Sequence, residues 1–122
     1  MIATGDVDGG CLDQITEIWG DKLDADILKV PHHGSKYSWS ERFTAAVSPD
    51  YAIFQVGKNN FGHPDQGVVE NYLGNDIMVY RNDEDGAVGF DFAKDSTVEV
   101  MTVRGEDSGW LQEIIRNRSM HL

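Results

Sequence analysis

A length of 122 residues limits the chain to one small domain or part of a larger one, with a core that is only marginally stable by itself. Hydrophobic residues make up 40% and charged residues 25%, an ordinary globular balance, and no apolar run approaches the ~18 residues of a membrane span. The formal net charge of −11 repels polyanions unless metal ions or further polypeptide offset it, which argues against unaided nucleic-acid binding; solubility is the more general reading of such an imbalance. The bases are not clustered: Lys29, Lys36 and Lys58 lie in or beside motifs, and Arg104, Arg116 and Arg118 belong to the tail. No leader follows Met1, because Asp6 and Asp8 arrive at once, so the cytoplasm is the default expectation. Cys11, the single cysteine, has no internal disulfide partner and reads as a buried or half-buried thiol rather than a nucleophile.

In chain order, Met1 to Thr4 predicts a short strand stub ending in a turn. Leu12, Ile15, Ile18 and Trp19 then recur at helical spacing, with a stop near Gly20. Ala25 to Val30 is a strand candidate closed by Pro31, whose fixed φ and missing N–H suit a strand exit. Ser38 with Glu41 has capping-box form, and Phe43, Ala46 and Val47 form the buried stripe of a helix that ends before Pro49. Tyr51 to Val56 reads as a strand delivering the loop Gly57 to Asp65. Val68, Val69, Tyr72 and Leu73 mark another helix, and Ile77 to Tyr80 another strand. The segment Asn82 to Gly86 has the composition of a hairpin turn, followed by strand patterns at Val88 to Phe92 and Thr97 to Val103, and by helical spacing at Trp110, Leu111, Ile114 and Ile115. Strands and helices alternate through Tyr80, so the fold class is α/β.

Three motifs each follow a predicted strand and precede a helix, which lets their loops gather at one edge of a sheet. In Thr4-Gly5-Asp6 the aspartate offers a hard, charged oxygen to a cation, although the same residue serves equally as a helix N-terminal acid or in an Asx turn. In Leu28 to Lys36 (LKVPHHGSK), one of His32 and His33 offers an imidazole ligand, Gly34 permits a close turn, and Ser35 and Lys36 can meet an anionic oxygen. In Gly57 to Asp65 (GKNNFGHPD), His63 between Gly62 and Pro64 suits a ligand or a phosphate contact, or else a turn that caps Gln66; Asn60 is an amide donor or a turn former.

In this order the segments resemble the metallo-β-lactamase-fold domain at the C-terminus of the ComEC-type DNA-uptake (competence) proteins and their free-standing relatives. That family carries a TGD turn, then LKV-P-HHGS-K with a Ser-rich helix start, a VGKNN-x-x-GHP-type loop and an R-x-D-x-DG turn. The counterparts here are Thr4 to Asp6, Leu28 to Lys36, Val56 to Pro64 and Arg81 to Gly86, so the resemblance spans residues 2 to about 92, with 93–122 adding a strand and a C-terminal helix. The resemblance implies the second αβ half of an αββα sandwich, a mixed sheet with flanking helices, forming one partial domain over 1–122. It implies that Asp6 bridges a metal pair and that His32 or His33, with His33 favoured, is the last metal-binding histidine. His63 and Asn60 then lie at the rim where a scissile phosphate or another ester sits, with Lys36, Ser35 and the other of the two histidines beside it.

Two departures from the family pattern shape the expectation. The family's HxHxDH-like ligand motif lies upstream of TGD and has no counterpart in this chain, and the residue after the GHP loop is Asp65 rather than a second histidine. A water-activating ion needs about three protein ligands and an open position, so Asp6 and one imidazole would hold it loosely. The reading is therefore a fragment of a metal-dependent hydrolase, acting on phosphodiesters in a DNA-uptake setting when complete and inactive as the isolated chain. The divalent metal, zinc or manganese, belongs to the complete protein and need not be bound here. The expected partner is the upstream half or a second copy in a dimer. Nucleic acid is expected as a partner only for the complete protein, and this segment itself makes no membrane contact although it can belong to a larger membrane protein. The alternative is a non-catalytic domain that associates through its exposed sheet.

Overall fold

The computed structural model describes residues 1–95 and 97–103, which fall in two compact units, 1–80 and 81 onward. The helical spacing anticipated at Trp110 to Ile115 lies outside the described residues. The first unit is α/β. Strands β1 (Ile2–Ala3), β2 (Ile27–Lys29), β3 (Tyr51–Phe54) and β4 (Met78–Arg81) lie side by side in that order. The first three are parallel, with Ile2 beside Leu28, Leu28 beside Ala52, and Lys29 beside Ile53. Helices α1 (Gly9–Trp19), α2 (Glu41–Val47) and α3 (Gln66–Gly74) connect successive strands.

The pleat sorts the strand residues into two faces. Ile2, Leu28 and Ala52 share one face in register, and Val30 and Phe54 follow on the same side. They pack with Leu12 of α1, Phe43 and Val47 of α2, and Val68, Val69 and Tyr72 of α3, so all three helices cover that single face. Tyr72 is the hub: Trp39 and Phe54 meet its ring edge to face at 5.0 and 5.6 Å. Burial raises the Tyr72 phenol well above its usual range, offset in part by a hydrogen bond with Thr44, so it stays neutral at any working pH. The opposite face carries Ala3, Lys29 and Ile53 in register, with Ile27 and Tyr51 alongside.

Helix boundaries follow from side-chain chemistry. Asp8 caps α1 by accepting from the Cys11 N–H at 2.8 Å, and Gly20 ends it, donating to the Thr16 carbonyl with a φ of 44°. Cys11 is half-buried. The cap of α2 corrects the sequence expectation: Ser40, not Ser38, has the extended backbone of an N-cap, and its Oγ accepts from Phe43 N–H at 3.0 Å. Ser38 is fully buried, with its hydroxyl donating to the carbonyls of Pro31 and Ser35, and so is spent on the preceding loop. Ser40 also donates to Asp13 of α1, joining the two helices. Their separation has a tight point at Gly9, whose amide donates to the Tyr37 carbonyl at 2.8 Å, and where an added Cβ would sit 2.5 Å from the Trp39 carbonyl oxygen.

In the second unit, β5 (Ala87–Phe92) and β6 (Val98–Val103) pair antiparallel, with Gly89 opposite Met101. The segment read as a hairpin turn is instead one helical turn, α4 (Asn82–Asp85). It is held by local bonds: Asp85 accepts the Arg81 N–H at 2.8 Å, and the Asn82 amide donates to the Gly86 carbonyl at 2.8 Å.

Removing Phe43, which is fully buried among the sheet-facing helix residues, leaves a cavity the helices cannot close. Phe43→Ala is expected to lower unfolding free energy by about 3–5 kcal/mol, enough to unfold most of a domain this small, as read from a urea titration by circular dichroism.

Candidate functional site

Three loops leave the C-terminal ends of β1, β2 and β3 and meet at that edge of the sheet. The first turns at Gly5, whose φ is 70°, and its carbonyl accepts the His32 N–H at 2.9 Å. The second is a tight turn over Pro31–Gly34 in which His32 (φ 47°) and His33 (φ 53°) are both left-handed, followed by Gly34 at φ 81°. Such a backbone is unfavourable for residues with a Cβ, by roughly 1–2 kcal/mol each, and survives only where neighbours over-determine it. Here the Ser35 N–H closes the turn on the His32 carbonyl at 2.9 Å, and the Ser38 hydroxyl grips it from below. Gly34 is wedged in place: a Cβ there would lie 2.6 Å from the Phe54 ring and 2.9 Å from Pro64.

The third loop, between β3 and α3, is wound around Asn59. Its Oδ1 accepts the amides of Phe61 and His63 at 3.0 and 3.1 Å, and its Nδ2 donates to the carbonyls of Gly57 and His63 at 3.0 and 2.8 Å. The loop closes through a cis His63–Pro64 peptide and is tied to the second loop where the Asp65 N–H meets the Gly34 carbonyl at 2.8 Å. Asp65 also caps α3, accepting the Val68 N–H at 3.1 Å. The capping role weighed for His63 therefore belongs to Asp65. The acid that stands where the family pattern has a second histidine starts the helix.

These ties bring three imidazoles together. The ring centroids of His32 and His63 are 5.5 Å apart, and His33 lies 6.4 Å from each. Nδ1 of His33 is 2.7 Å from the Gln55 carbonyl, an acceptor only, so Nδ1 carries the proton and the Nε2 lone pair is left free in the neutral ring. That Nε2 faces Asp6 Oδ1 at 3.8 Å, too far for a hydrogen bond and near the ~3.4 Å that separates adjacent donors around a tetrahedral ion. Both side chains are open to solvent. Among the described residues, no group of three or more His, Cys, Asp or Glu side chains is placed to hold a metal ion. The site therefore presents two donors.

Of the residues singled out from the sequence, Asp6, His32, His33 and His63 converge. Ser35 is buried, and its Oγ accepts the Tyr37 N–H at 3.3 Å, which places it in the scaffold of the loop. Lys36 is exposed, with Nζ 5.0 Å above the Tyr37 ring. Asn60 lies exposed on the third loop. Two contributors escaped sequence reading: Asn59, which builds the loop that its neighbour Asn60 was expected to serve, and Gln55, which acts through its backbone carbonyl and so leaves no side-chain signal. A paired amide donor and acceptor inside a Gly-rich loop was the one available cue for Asn59.

The Arg81 to Gly86 motif is self-contained. Arg81 grips Asp83 with two parallel bonds, Nε to Oδ1 at 3.0 Å and Nη2 to Oδ2 at 2.7 Å, and its Nη1 is 3.3 Å from Glu84. The hydrogen bond from Arg81 lowers the Asp83 carboxyl below its ordinary range, and the same bond raises the Arg81 guanidinium.

No protein-family model matches the chain. It is 37% identical over 90 residues to ComE operon protein 3 of Bacillus subtilis, across 73% of this chain and 12% of that protein. It is 34% identical over 91 residues to Competence protein ComA of Neisseria gonorrhoeae, across 74% of this chain and 13% of the relative. Recombination protein 2 of Haemophilus influenzae also matches at 34% over 91 residues, across 74% of this chain and 11% of its own length. The homologues are thus competence proteins, and the chain spans about an eighth of their length.

Two outcomes follow from the loop and motif geometry. Asn59→Ala removes four hydrogen bonds from an exposed loop, so amide exchange at Phe61 and His63 should accelerate roughly tenfold while the global melting point moves little. Asp83 has a folded pKa below its unfolded value of ~4, so its pairing stabilises above that value, and this contribution is lost as pH falls through the lowered folded pKa. Arg81→Met should therefore cost no more than about 1 kcal/mol near pH 7, and the difference from wild type should vanish in acid, as followed by urea midpoints from pH 7 to pH 2.

Proposed function

We propose that the chain is the C-terminal half of a metallo-β-lactamase-fold, metal-dependent hydrolase segment of a DNA-uptake protein, contributing part of a site for phosphodiester cleavage. The observation that carries this is the facing pair of Asp6 Oδ1 and His33 Nε2, set at the joined ends of three strands. His33 has the further mark of a metal-ligating imidazole, a second-shell carbonyl on its other nitrogen that fixes tautomer and ring direction. A carboxylate oxygen and an imidazole nitrogen suit zinc or manganese alike. A divalent ion held there would supply Lewis-acid activation of water and charge neutralisation. His63 and His32, on the rim, are within reach to donate to a phosphate oxygen, and Lys36 and Lys58 add positive charge to the same edge.

With two donors in place, the remaining ligands would come from a segment upstream of Thr4 in the longer protein, and the isolated chain would be inactive. The length of the relatives supports this, since about seven-eighths of each lies beyond the match. So does the Thr4 Oγ1, a buried polar atom with no hydrogen-bond partner among the described residues, which is the kind of orphan that an adjoining segment or an ordered water satisfies. In a second reading the segment works by association alone; its motive is that no group of three or more metal-holding side chains is found among the described residues, together with the acidic charge.

Calorimetry with zinc and manganese separates the two readings. Weak binding, with a Kd in the high micromolar range or above, is expected for the wild type and should be lost in Asp6→Ala/His33→Ala. Joining the upstream half should tighten binding by several orders of magnitude and confer phosphodiesterase activity that Asp6→Ala abolishes. Activity of the joined protein that persists in Asp6→Ala would overturn the hydrolase assignment.

A further inference from the structure

The third loop presents Phe61 to solvent with 82% of its surface exposed, although the loop around it is fastened by four Asn59 hydrogen bonds. A large apolar side chain held out on a rigid loop loses free energy by its exposure. Its ring is nearly parallel to His63, with centroids 6.0 Å apart and planes inclined by 26°. Phe61 and His63 together form the wall between two cavities. One, of about 210 Å³, is also lined by His33 and Lys58. The other, of about 250 Å³, is also lined by Lys36 and by Tyr37, which is itself 69% exposed. Each is smaller than the ~300–1,000 Å³ of a pocket that encloses a whole small ligand, so each suits one flat ring with the remainder of its molecule outside.

We propose that Phe61, backed by His63, is a stacking platform for an unpaired base of a nucleic-acid strand crossing this edge, and that Lys58 and Lys36 contact the phosphates on either side of it. The inference rests on the hydrolase reading for the position of the scissile bond, and adds that the strand is taken single-stranded. Stacking needs an open ring face, which a base still paired in a duplex cannot reach. Two ring-sized cavities separated by an aromatic wall fit consecutive bases of one strand, whereas a protein partner would need a continuous apolar patch. Asp65 lines the second cavity with Lys36, and its carboxylate, although it caps α3, offsets part of that lysine's charge, so Lys58 carries the stronger phosphate contact; Asp6 faces His33 and lines neither cavity. The net charge of −11 sets the scale, making the contact weak and strongly salt-dependent.

The test measures binding of the metal-free 122-residue chain to a labelled oligothymidylate at low salt, against an abasic strand of equal length and a duplex. The wild type should prefer the oligothymidylate to both. Phe61→Ala should weaken it about 5- to 100-fold and remove the preference over the abasic strand, with no change in melting temperature, because the side chain is exposed. Phe61→Trp should restore the preference, and Lys58→Ala should lower the salt slope by about one. Equal affinity of wild type and Phe61→Ala, or no preference over the abasic strand, overturns the platform. A change in oligomeric mass in Phe61→Ala without a change in oligonucleotide affinity assigns the ring to a protein contact and overturns it as well. The hydrolase reading is tested by metal calorimetry and by activity of the joined protein, and this one by the oligonucleotide preference of the metal-free chain, so their failures are read from different measurements.

Discussion

The arrangement depends on one constraint: two consecutive histidines held in left-handed backbone at the end of a buried strand. Val30, just after β2, is the last core residue before the turn, and Pro31 ends the ladder. The next two residues must then turn upward within the space left by Phe54 and Pro64, which Gly34 alone can share. A turn this tight is unfavourable for residues with a Cβ, so it must be locked from several sides. It is locked by the Gly5 carbonyl below His32, the Gln55 carbonyl beside His33, the Ser38 hydroxyl beneath the turn and the Asp65 amide on Gly34. Two locks come from the ends of the third loop and one from the first, so the turn holds those two loops together as much as they hold it.

This explains why core and site are hard to separate here. Phe54 packs on Tyr72 in the core and also forms the floor under Gly34. Ser35, read from the sequence as a contact for an anionic oxygen, and Ser38, read as a helix cap, are both spent inside the turn. In the LKVPHHGSK segment Ser35 is thus used to hold the turn, while the two imidazoles and Lys36 reach solvent at this edge.

The order of strands and helices through Tyr80 was legible because its signals are local: helical spacing at Leu12 and Ile15, Pro31 at a strand exit, a glycine at position 20. The convergence of Asp6, His33 and His63 was legible only as an ordering of motifs, since the parallel register that makes it real is set by contacts distant in sequence. The misreadings have one cause. Ser38 and Ser40 both precede an acid, and spacing favoured Ser38, but burial took its hydroxyl for the turn. Likewise Asn82 to Gly86 has the composition of a hairpin turn, yet Asp85 and Asn82 bond back to the backbone and wind one helical turn instead. In each case a short polar side chain had two hydrogen-bonding options, and only the tertiary surroundings decided between them.

Asp65, which stands where the pattern that the sequence resembles has a second histidine, bears on how the third loop is held. A second imidazole at that position would add a donor but leave the first turn of α3 with one fewer satisfied amide, since histidine is a poor N-cap. Asp65 reverses the exchange: its carboxylate takes the Val68 N–H and its own amide ties down Gly34. Two residues earlier, the carbonyl and amide of His63 are both held by Asn59. Asp65 therefore acts on the loop through its cap of α3 and its amide on Gly34. A histidine there would add an imidazole to the edge and lose the side-chain cap of α3, while His33 takes its direction from the Gln55 carbonyl in either case.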